Sequence, residues 1–568
     1  MLKDRTYIRV ILPLRLDWEP YYYVPAEMAK EGLAAGMRVS VLFARKKYLG
    51  VVSAAAIEPD VEESKINAVL SLERGLETIT ANELELWRFV SGYYLCTVGE
   101  VYKAAYPQLK VDKEVADAKR EEKRLSVIDR KLQALASRKD RLSAFLEKKR
   151  LAAERAKSDS SKKKFSDEAE KYAAQISLVE QSMSMLEDEK VSGPDNVRCF
   201  ESSYEVSLSA AQNDAYSAVK SAFSEHLPVL LNGVTGSGKT EIYVKLALET
   251  MRQGKNVLYM IPEIAVSRQL EERLRRIFGA YLFTFHSKVT AAKREEVASE
   301  IRSGNYIVLG TRSSIFLPHH DLGLIIVDEE HDTSYKQDAP APRYNGRDTA
   351  LMLARIDGAE IILGTATPSL ESLYNCRIGR MKKVDLPERY YGASDSDVEI
   401  IDTSAERRKR GMAGNFSFKL IQRIRSALAD GGQVLLLRAR RAYSPAVQCT
   451  ACGDIPRCPH CNVPLSWHRQ EGILLCHYCG WRTPFSGTCG KCGGTMEALG
   501  AGTQKIEEEV SNLFPEARVA RLDSDTAAVA GKESEIIRDF ADRKIDILVG
   551  TQIITKGFDF DGLSLVAV

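Results

Sequence analysis

The stretch PVLLNGVTGSGKTEIYVKLALETM at residues 228–251 decides the fold. Its apolar start predicts a buried strand, its end predicts a helix, and GVTGSGKT at 233–240 fits the phosphate-loop pattern G-x-x-x-x-G-K-[ST]. The glycines let backbone N–H groups curl around phosphate oxygens at the positive end of the helix dipole. A chance glycine-rich turn is the alternative, but the flanking strand and helix argue against it. The stretch therefore predicts an α/β fold with a nucleoside triphosphate site.

An acidic strand end supplies the second half of this site. LGLIIVDEEH at 322–331 predicts a buried strand that ends in Asp328 and Glu329. We expect three catalytic residues: Lys239 to neutralise the β and γ phosphates of ATP, Asp328 to support Mg²⁺, and Glu329 to act as general base. A solvated acidic strand end is the alternative, and a phosphate loop in the same predicted sheet argues against it. The residues predicted to hold ATP and Mg²⁺ are Gly233, Val234, Thr235, Gly236, Ser237, Gly238, Lys239, Thr240 and Asp328.

Apolar runs alternate with helical stretches around these motifs. Fully apolar strands between helices are typical of a parallel sheet that is covered on both faces. Two such series occur, so we predict two α/β lobes in tandem. The first series is LPVLLNG, NVLYMIP, YIVLG, LGLIIVDEE and EIILGTAT, and the second is QVLLLRA, ARVARLD, IDILVG and LSLVAV.

Two further regions precede the lobes. Residues 1–105 alternate short apolar runs with Pro and Gly, which favours a small β-rich domain. Residues 111–190 contain no Pro or Gly and carry two heptad seams, so we predict an antiparallel α-helical coiled-coil hairpin. Lys139 interrupts the first seam. The hairpin is either a solvated spacer or an arm that touches a partner or DNA, and its Lys-rich tip at 162–164 favours the second only weakly.

Eight of the eleven cysteines cluster between 449 and 492 in four C-x₂-C pairs. Such a turn presents two thiolates to one tetrahedral ion, so four pairs predict two closed Cys₄ zinc sites. Redox use is the alternative, but four adjacent pairs exceed what a dithiol enzyme needs. The spacing leaves the partnering of the pairs open. The predicted ligands are Cys449, Cys452, Cys458, Cys461, Cys476, Cys479, Cys489 and Cys492.

Composition sets broad limits. The 568 residues are 44% hydrophobic and 28% charged, which excludes a wholly disordered or collagen-like chain. Lys and Arg total 80 against 78 Asp and Glu, so the net charge of +2 gives no evidence for a nucleic-acid or membrane partner. No stretch reaches the ~18 uninterrupted apolar residues of a spanning helix. Paired cysteines suit a reducing compartment. We therefore expect a cytoplasmic protein without membrane contact.

Taken together, the motifs resemble those of superfamily 2 helicases, and more closely those of the PriA family of bacterial primosomal helicases. The resemblance covers most of residues 199–568 and includes the place of the cysteine insertion. It implies RecA-like lobes and an ATP-dependent 3′→5′ DNA helicase that recognises stalled or collapsed replication forks and initiates replication restart. The motifs are GVTGSGKTE, IPEI at 261–264, FHS at 285–287, GTRS at 310–313, DEEHDTSYKQ at 328–337, RYNGRD at 343–348, GTATP at 364–368 and GTQIITKG at 550–557.

The resemblance also implies roles for single residues. Gln212 would contact adenine, and the loop 335–347 would sense single-stranded DNA, where aromatic rings and arginines suit bases. The implied DNA-contacting residues are Thr311, Arg312, Lys336, Arg343 and Tyr344, and the implied coupling residues are Thr365 and Thr367. The family's zinc sites are nested, which implies one set of Cys449, Cys452, Cys489 and Cys492 around another of Cys458, Cys461, Cys476 and Cys479.

A domain plan and a set of partners follow from the same resemblance. The partners would be forked and single-stranded DNA, primosome proteins and single-strand-binding protein, in the bacterial cytoplasm and at the nucleoid. The domains would be a β-rich DNA 3′-end-binding domain at 1–105, the hairpin at 111–195, an ATP-binding lobe at 199–385, and a second lobe at 386–568 with its zinc insertion at 446–495.

The sequence departs from the family near both ends. Pro20 and Tyr21 stand where the family has an aromatic and a small or acidic residue, and the hairpin stands where it has a winged helix. After residue 568 the family continues into a segment with an arginine finger, worth ~10³–10⁵ in rate. We therefore expect this truncated chain to bind ATP and DNA but to hydrolyse ATP poorly. Two alternatives are a zinc-containing DNA-binding scaffold with weak or no ATPase, and an RNA helicase, for which two zinc sites have no evident use.

Overall fold

The structure is a computed structural model that divides the chain into two compact units. The first unit is Met1–Glu263 with Leu274–Gly392, and the second is Ile264–Arg273 with Ala393–Val568. The Lys-rich tip at 162–164 and parts of the predicted motifs IPEI, FHS and GTQIITKG lie outside the described residues. Those described are 5–29, 32–74, 76–107, 116–155, 165, 169, 172–173, 176, 179–180, 183, 200, 202, 204–262, 268–286, 289–302, 304–389, 397–437, 446–468, 471–499, 503–523, 532–551 and 560–568.

The first unit begins with a closed barrel of five strands in the order β1-β2-β5-β3-β4. Alternate side chains of a strand point to the same face, so Ile8 and Val10 of one strand pack inside with Val39 and Val41 of another. The predicted β-rich start of the chain is confirmed. Its strands are β1 Arg5–Ile11, β2 Tyr21–Pro25, β3 Arg38–Phe43, β4 Lys46–Ala55 and β5 Asn67–Leu72, and its helices are Ala26–Ala29, Ala81–Tyr93 and Val98–Ala105.

The hairpin region follows as the helix Ala116–Arg155. Later residues of this helix contact earlier residues of the facing arm, as an antiparallel hairpin requires. Phe145 stacks on Tyr172 with ring centroids 5.9 Å apart. Closer to the start of the helix, the seam residue Lys139 makes an ion pair with Glu180 at 2.8 Å. The interruption of the seam is therefore satisfied by a charge on the facing arm.

The first lobe is a parallel sheet of seven strands in the order β12-β6-β11-β10-β7-β9-β8. All five predicted apolar runs of the first series are strands of this sheet. The strands are β6 Val229–Gly233, β7 Asn256–Met260, β8 Leu282–Phe285, β9 Ile307–Gly310, β10 Leu322–Val327, β11 Glu360–Thr365 and β12 Lys382–Leu386. The helices are Ala210–Ser224, Lys239–Arg252, Ala291–Glu300, Gly346–Asp357 and Leu370–Arg377, and the helix Arg268–Phe278 is divided between the two units after Arg273.

The N-terminal helices and the first lobe share one hydrophobic core. Trp87 of the helix Ala81–Tyr93 belongs to the same buried cluster as Phe316 and Leu353 of the lobe. At its edge, the Asn82 amide donates to the Asp357 carboxylate at 2.7 Å. The N-terminal helices therefore pack directly against the first lobe.

The second unit holds a parallel sheet of four strands in the order β21-β22-β15-β23 and a separate antiparallel sheet in the order β19-β18-β17-β16-β20, which carries the cysteines. All four runs of the second series are strands, and the cysteine sheet is inserted between the first two of them. The strands are β13 Met412–Ala413, β14 Phe416–Ser417, β15 Gln433–Leu437, β16 Ala446–Cys449, β17 Ser466–His468, β18 Ile473–Leu475, β19 Arg482–Pro484, β20 Met496–Leu499, β21 Val519–Leu522, β22 Ile547–Gly550 and β23 Leu563–Ala567. The helices are Thr403–Arg408, Phe418–Ala429, Thr503–Leu513 and Lys532–Ala541. Among the described helices, none combines the length and the apolar character needed to cross a membrane.

Gly99 offers a test of how the N-terminal helices fit the barrel. A Cβ at Gly99 would lie 2.2 Å from the carbonyl oxygens of both Leu12 and Leu14. Because backbone cannot yield cheaply, we expect Gly99→Ala to lower the free energy of unfolding of this domain by roughly 1–3 kcal/mol. Urea unfolding followed by tryptophan fluorescence measures it, since Trp87 lies in the adjoining core.

Gly92→Ala is the matched control. Gly92 lies in the helix Ala81–Tyr93, and a Cβ there meets no atom within 4 Å. Alanine in a helix is better than glycine by about 0.5–1 kcal/mol, so this variant gains stability. Equal unfolding curves for the two variants would contradict the packing at Gly99.

Candidate nucleotide and metal sites

The phosphate loop joins β6 to the helix Lys239–Arg252. Gly236 and Gly238 have φ of 77° and 80°, a left-handed conformation that glycine adopts without strain. The Lys239 ammonium donates to the Gly233 carbonyl at 2.8 Å, so it lies folded inside the loop. Ser237 Oγ is buried and has no hydrogen-bond partner among the described residues. A buried polar atom without a partner inside a loop of this shape fits the phosphates of a nucleotide.

Gln212 lies behind this loop and contacts it directly. It is 1% exposed, and its side-chain nitrogen donates to the carbonyls of Ser237 and Gly238 at 3.1 and 3.3 Å. Its side-chain oxygen accepts the backbone N–H of Ser209 at 2.8 Å as part of a capping box. Both donors of the amide are thus engaged by the protein. In this conformation Gln212 supports the phosphate loop, and its contact with adenine stays a prediction.

Asp328 ends β10 with its carboxylate between two tyrosines. Tyr243 and Tyr259 donate hydroxyl hydrogen bonds to its two oxygens at 3.4 and 3.3 Å, and the Glu329 N–H donates at 3.0 Å. The pKa of Asp328 is raised to about 6, mainly because burial removes water from the carboxyl; the Glu329 charge adds to the rise and the Lys239 charge opposes it. Glu329 has φ of 47°, a strained conformation for a non-glycine residue.

The tyrosine pair was missed by sequence reasoning. A Cβ at Gly364 would lie 1.5 Å from the Tyr243 hydroxyl, so the GTAT motif needs glycine to leave room for this contact. Tyr243 and Tyr259 are both buried, and their rings meet edge to face at 5.8 Å. A tyrosine in a buried strand, such as Tyr259 in NVLYM, was the available signal, because its hydroxyl needs a polar partner.

Glu330, the second glutamate of the DEEH motif, forms a buried ion pair with Arg347 at 3.0 Å. The side chain of Glu330 is 0% exposed and that of Arg347 is 8% exposed. Glu330 also accepts the Ser369 N–H at 2.7 Å and the hydroxyls of Ser369 and Ser372, both at 2.9 Å. Because the Glu330 N–H also donates to the Gly364 carbonyl at 3.0 Å, this one residue joins the DEEH, RYNGRD and GTATP motifs.

The predicted coupling residues lie on this same junction. The Thr365 hydroxyl contacts His331 Nδ1 at 2.8 Å and accepts the Thr367 N–H at 3.0 Å. Thr365 is fully buried at the end of β11. The arrangement connects the acidic strand end to the GTATP motif, and the coupling role of Thr365 and Thr367 stays a prediction.

The predicted DNA-contacting residues are divided between surface and core. Lys336 and Arg343 are exposed on a loop closed by a backbone bridge between Lys336 and Asn345. Tyr344 is 1% exposed and packs its ring edge to face on Phe316 at 4.9 Å. A base cannot stack on that ring in this conformation, and contact of Tyr344 with DNA stays a prediction.

Thr311 and Arg312 are divided in the same way. Thr311 is buried in this conformation, and its contact with the DNA backbone stays a prediction. The Arg312 guanidinium is partly exposed and donates to the Ser334 carbonyl at 2.6 Å, which holds it against the start of the loop. Its contact with DNA stays a prediction.

Four copies of one turn carry the cysteines. In each, the residue after the second cysteine is left-handed and donates its N–H to the carbonyl of the first cysteine at 2.9–3.0 Å. The first cysteine in turn donates its N–H to the residue five positions later at 2.7–2.9 Å. These bonds bring both sulfurs of a pair to one side of the turn. The left-handed residues are Gly453, Asn462, Gly480 and Gly493.

The sulfurs form two sets, each with its atoms within 4.8 Å of one another, and the sets match the nested pairing that the resemblance implied. Sulfurs of Cys449 and Cys492 are 3.4 Å apart, and those of Cys458 and Cys479 are 3.6 Å apart. Tetrahedral Zn–S bonds of ~2.3 Å separate sulfurs by about 3.8 Å, so the donor sets fit zinc. The sets are Cys449, Cys452, Cys489 and Cys492, and Cys458, Cys461, Cys476 and Cys479.

Three family models match separate parts of the chain. Residues 9–107 match a 3′DNA-binding domain, residues 209–376 match the DEAD/DEAH box helicases, and residues 458–484 match the Cys-rich region domain of PriA DNA helicase. The first lobe is thus a helicase domain, and the Cys-rich region is a zinc-binding type.

Curated relatives extend the similarity along the chain. The replication restart protein PriA of Haemophilus influenzae is 32% identical over 573 residues, which covers 99% of this chain and 76% of that protein. The PriA of Bacillus subtilis is 36% identical over 65% of this chain and 46% of its own length. That of Rickettsia typhi is 41% identical over 60% of this chain and 53% of its own length. The chain therefore matches about half the length of the last two relatives.

The left-handed position of the cysteine turns gives a test of metal retention. Gly480 has φ of 75°, and a Cβ there meets no atom within 4 Å, so Gly480→Ala adds backbone strain without a clash. That strain is roughly 1–2 kcal/mol, and we expect it to speed zinc release to a chelator severalfold. The measurement is the rate at which 4-(2-pyridylazo)resorcinol captures zinc.

Asn462→Gly is the matched control, because it relieves strain at the same place in another turn. We expect it to release zinc no faster than the unchanged protein. Equal release from the Gly480→Ala and Asn462→Gly variants would contradict the role of the left-handed residue.

Proposed function

Because the chain belongs to the family of replication restart protein PriA, we propose that it is an ATP-dependent 3′→5′ DNA helicase that acts at stalled or collapsed replication forks. The similarity to the Haemophilus relative over 99% of the chain is the observation that carries the proposal. The phosphate loop and the acidic strand end of the first lobe support it, since helicases couple nucleotide hydrolysis to movement.

The proposed chemistry assigns a task to each residue of the site. Lys239 leaves the Gly233 carbonyl to bind the β and γ phosphates, and Thr240 and Asp328 hold Mg²⁺. The bound Mg²⁺ would offset charge that develops on the phosphate oxygens. Glu329 accepts the proton of the attacking water. Support comes from the unpaired Ser237 hydroxyl and from the tyrosines that fix the Asp328 carboxylate.

We assign two zinc ions to the chain, one to each sulfur set. Every thiolate has a place in four-sulfur coordination, which leaves no open position for a reaction at the metal. The zinc sites therefore have a structural role, because the short strands of this sheet enclose a small core.

The proposed partners are forked and single-stranded DNA, primosome proteins and single-strand-binding protein, and the proposed location is the bacterial nucleoid. The relatives support this, since Bacillus, Haemophilus and Rickettsia carry replication restart proteins of this family. The exposed cations Lys336 and Arg343 are suited to phosphates.

Replacement of the phosphate-loop lysine tests the motor. We expect Lys239→Ala to lower DNA-stimulated ATP turnover by roughly 10²–10³-fold, because a preorganised donor to the transition state is lost. The measurement is phosphate release with forked DNA, alongside unwinding of the fork. Lys255→Ala, an exposed lysine of the same lobe, serves as control and should retain turnover.

The choice of nucleic acid separates the proposed function from its alternatives. Stimulation by an RNA duplex and not by forked DNA would contradict a DNA helicase. Equal fork affinity with and without ATP and Mg²⁺ would favour the DNA-binding scaffold instead.

The raised pKa of Asp328 predicts a pH dependence. Only the carboxylate form supports Mg²⁺, so Mg²⁺-dependent ATP affinity is present above the pKa of about 6 and is lost as the pH falls through it. The Tyr259 hydroxyl bond favours the charged form, so Tyr259→Phe raises the pKa of Asp328 and moves the loss to higher pH. Titration calorimetry with Mg²⁺ and a non-hydrolysable ATP analogue across pH 5–8 measures the shift.

Tyr216→Phe is the control for that comparison. The Tyr216 hydroxyl donates to Glu249, away from the Asp328 carboxylate. Removal of the Tyr216 hydroxyl should leave the pH profile of ATP affinity unchanged. The nucleotide itself titrates equally in every measurement, so its titration cancels when the variants are compared. Coincident profiles for the Tyr259→Phe and unchanged proteins would show that Tyr259 does not stabilise the carboxylate.

A further inference from the structure

An exposed aromatic surface lies beside the loop 335–347, and it belongs to the N-terminal domain. Within the loop, Tyr335 and Tyr344 are both buried. The Lys336 ammonium instead lies 5.2 Å from the centre of the Tyr94 ring, and the Tyr94 hydroxyl donates to the Asn345 carbonyl at 3.4 Å. The loop thus rests on the turn that joins the two N-terminal helices.

At the start of that turn the Tyr93 ring is exposed, next to the Tyr94 ring that Lys336 covers. Tyr93 is 64% exposed, stacks on Phe89 at 5.3 Å and meets the edge of Tyr94 at 4.9 Å. Leu95 is 93% exposed and has φ of 51°, an uncommon conformation for a leucine. We call Phe89, Tyr93, Tyr94 and Leu95 the Tyr93 edge. Because two neighbours fix the Tyr93 ring, little side-chain entropy remains to be lost when a flat ligand stacks on it.

The charged side chains beside the Tyr93 edge indicate which kind of ligand it would bind. The loop beside the Tyr93 edge exposes Lys336 and Arg343, with Asp338 as its one acidic side chain between them. A fixed aromatic face that adjoins cations is the combination that binds single-stranded nucleic acid, in which bases stack and phosphates meet positive charge. Every base has a π-face, so such a contact does not depend on sequence.

We propose that single-stranded DNA crosses the Tyr93 edge, with a base stacked on Tyr93 and the adjoining phosphates at Lys336 and Arg343. This site rests on the proposed function, which makes DNA the substrate. It assigns part of the strand contact to the N-terminal domain. Lys336 is next in sequence to Tyr335, whose hydroxyl donates to the Asp328 carbonyl at 2.7 Å. One residue therefore separates the proposed strand contact from the nucleotide site.

The test compares Tyr93→Ala with Tyr374→Ala. Tyr374 is 61% exposed on the helix Leu370–Arg377 of the same unit, so its replacement removes an equal ring from another surface. The measurement is anisotropy of a labelled oligothymidylate at several salt concentrations. Stacking is worth ~1–3 kcal/mol per base, so Tyr93→Ala should weaken binding roughly 5- to 150-fold with an unchanged salt slope, while Tyr374→Ala should not weaken it.

Two further variants distinguish stacking from a general defect. Tyr93→Trp keeps an aromatic face and should restore affinity, and Lys336→Ala should reduce the salt slope because a phosphate contact is lost. Equal binding by the Tyr93→Ala and unchanged proteins would overturn the Tyr93 edge and leave the proposed function standing. Failure of the unchanged protein to bind any DNA would overturn both.

Discussion

The buried ion pair between Glu330 and Arg347 is the contact on which the nucleotide site depends. Its two charges lie out of water, and loss of one partner from such a pair costs about 3–5 kcal/mol. The remaining oxygen capacity of Glu330 is filled by the Ser369 N–H and two serine hydroxyls, so the carboxylate has one stable position. Three motifs that are distant in sequence are thereby fixed together. The positions of Asp328 and Glu329, directly before Glu330, follow from that anchor.

Around Asp328 two opposing effects are balanced. Burial favours the neutral acid and raises the pKa of Asp328, whereas the tyrosine hydroxyls and the Lys239 charge favour the carboxylate. A fully exposed carboxylate would hold its charge easily but would be surrounded by mobile water. A buried one in fixed hydrogen bonds needs little reorganisation when a cation arrives. Gly364 belongs to this balance, because only a residue without Cβ leaves room for the Tyr243 hydroxyl.

The sequence predicted the lobes, the phosphate loop and the four cysteine pairs, because each depends on local spacing, whereas the grouping of the pairs into two sets was implied only by the family resemblance. Apolar runs became parallel strands, and C-x₂-C pairs became repeated turns. It did not show that Tyr344, Thr311 and Gln212 are buried, because a motif gives the order of residues and not the direction of their side chains. Tyr344 faces Phe316, a neighbour that only the folded lobe brings near. The tyrosines around Asp328 escaped notice because they occupy apolar positions of a strand and a helix.

Burial of its two tyrosines bears on how the loop 335–347, predicted to sense single-stranded DNA, is understood. The Tyr335 hydroxyl donates a hydrogen bond to the Asp328 carbonyl, and the ammonium of its neighbour Lys336 lies over the Tyr94 ring. Adjacent residues of one short segment thus contact the nucleotide site and the N-terminal domain. A path of contacts through two adjacent residues therefore runs from the Tyr94 ring to the Asp328 backbone. The motif is therefore better described as a connection between two surfaces than as a surface for bases.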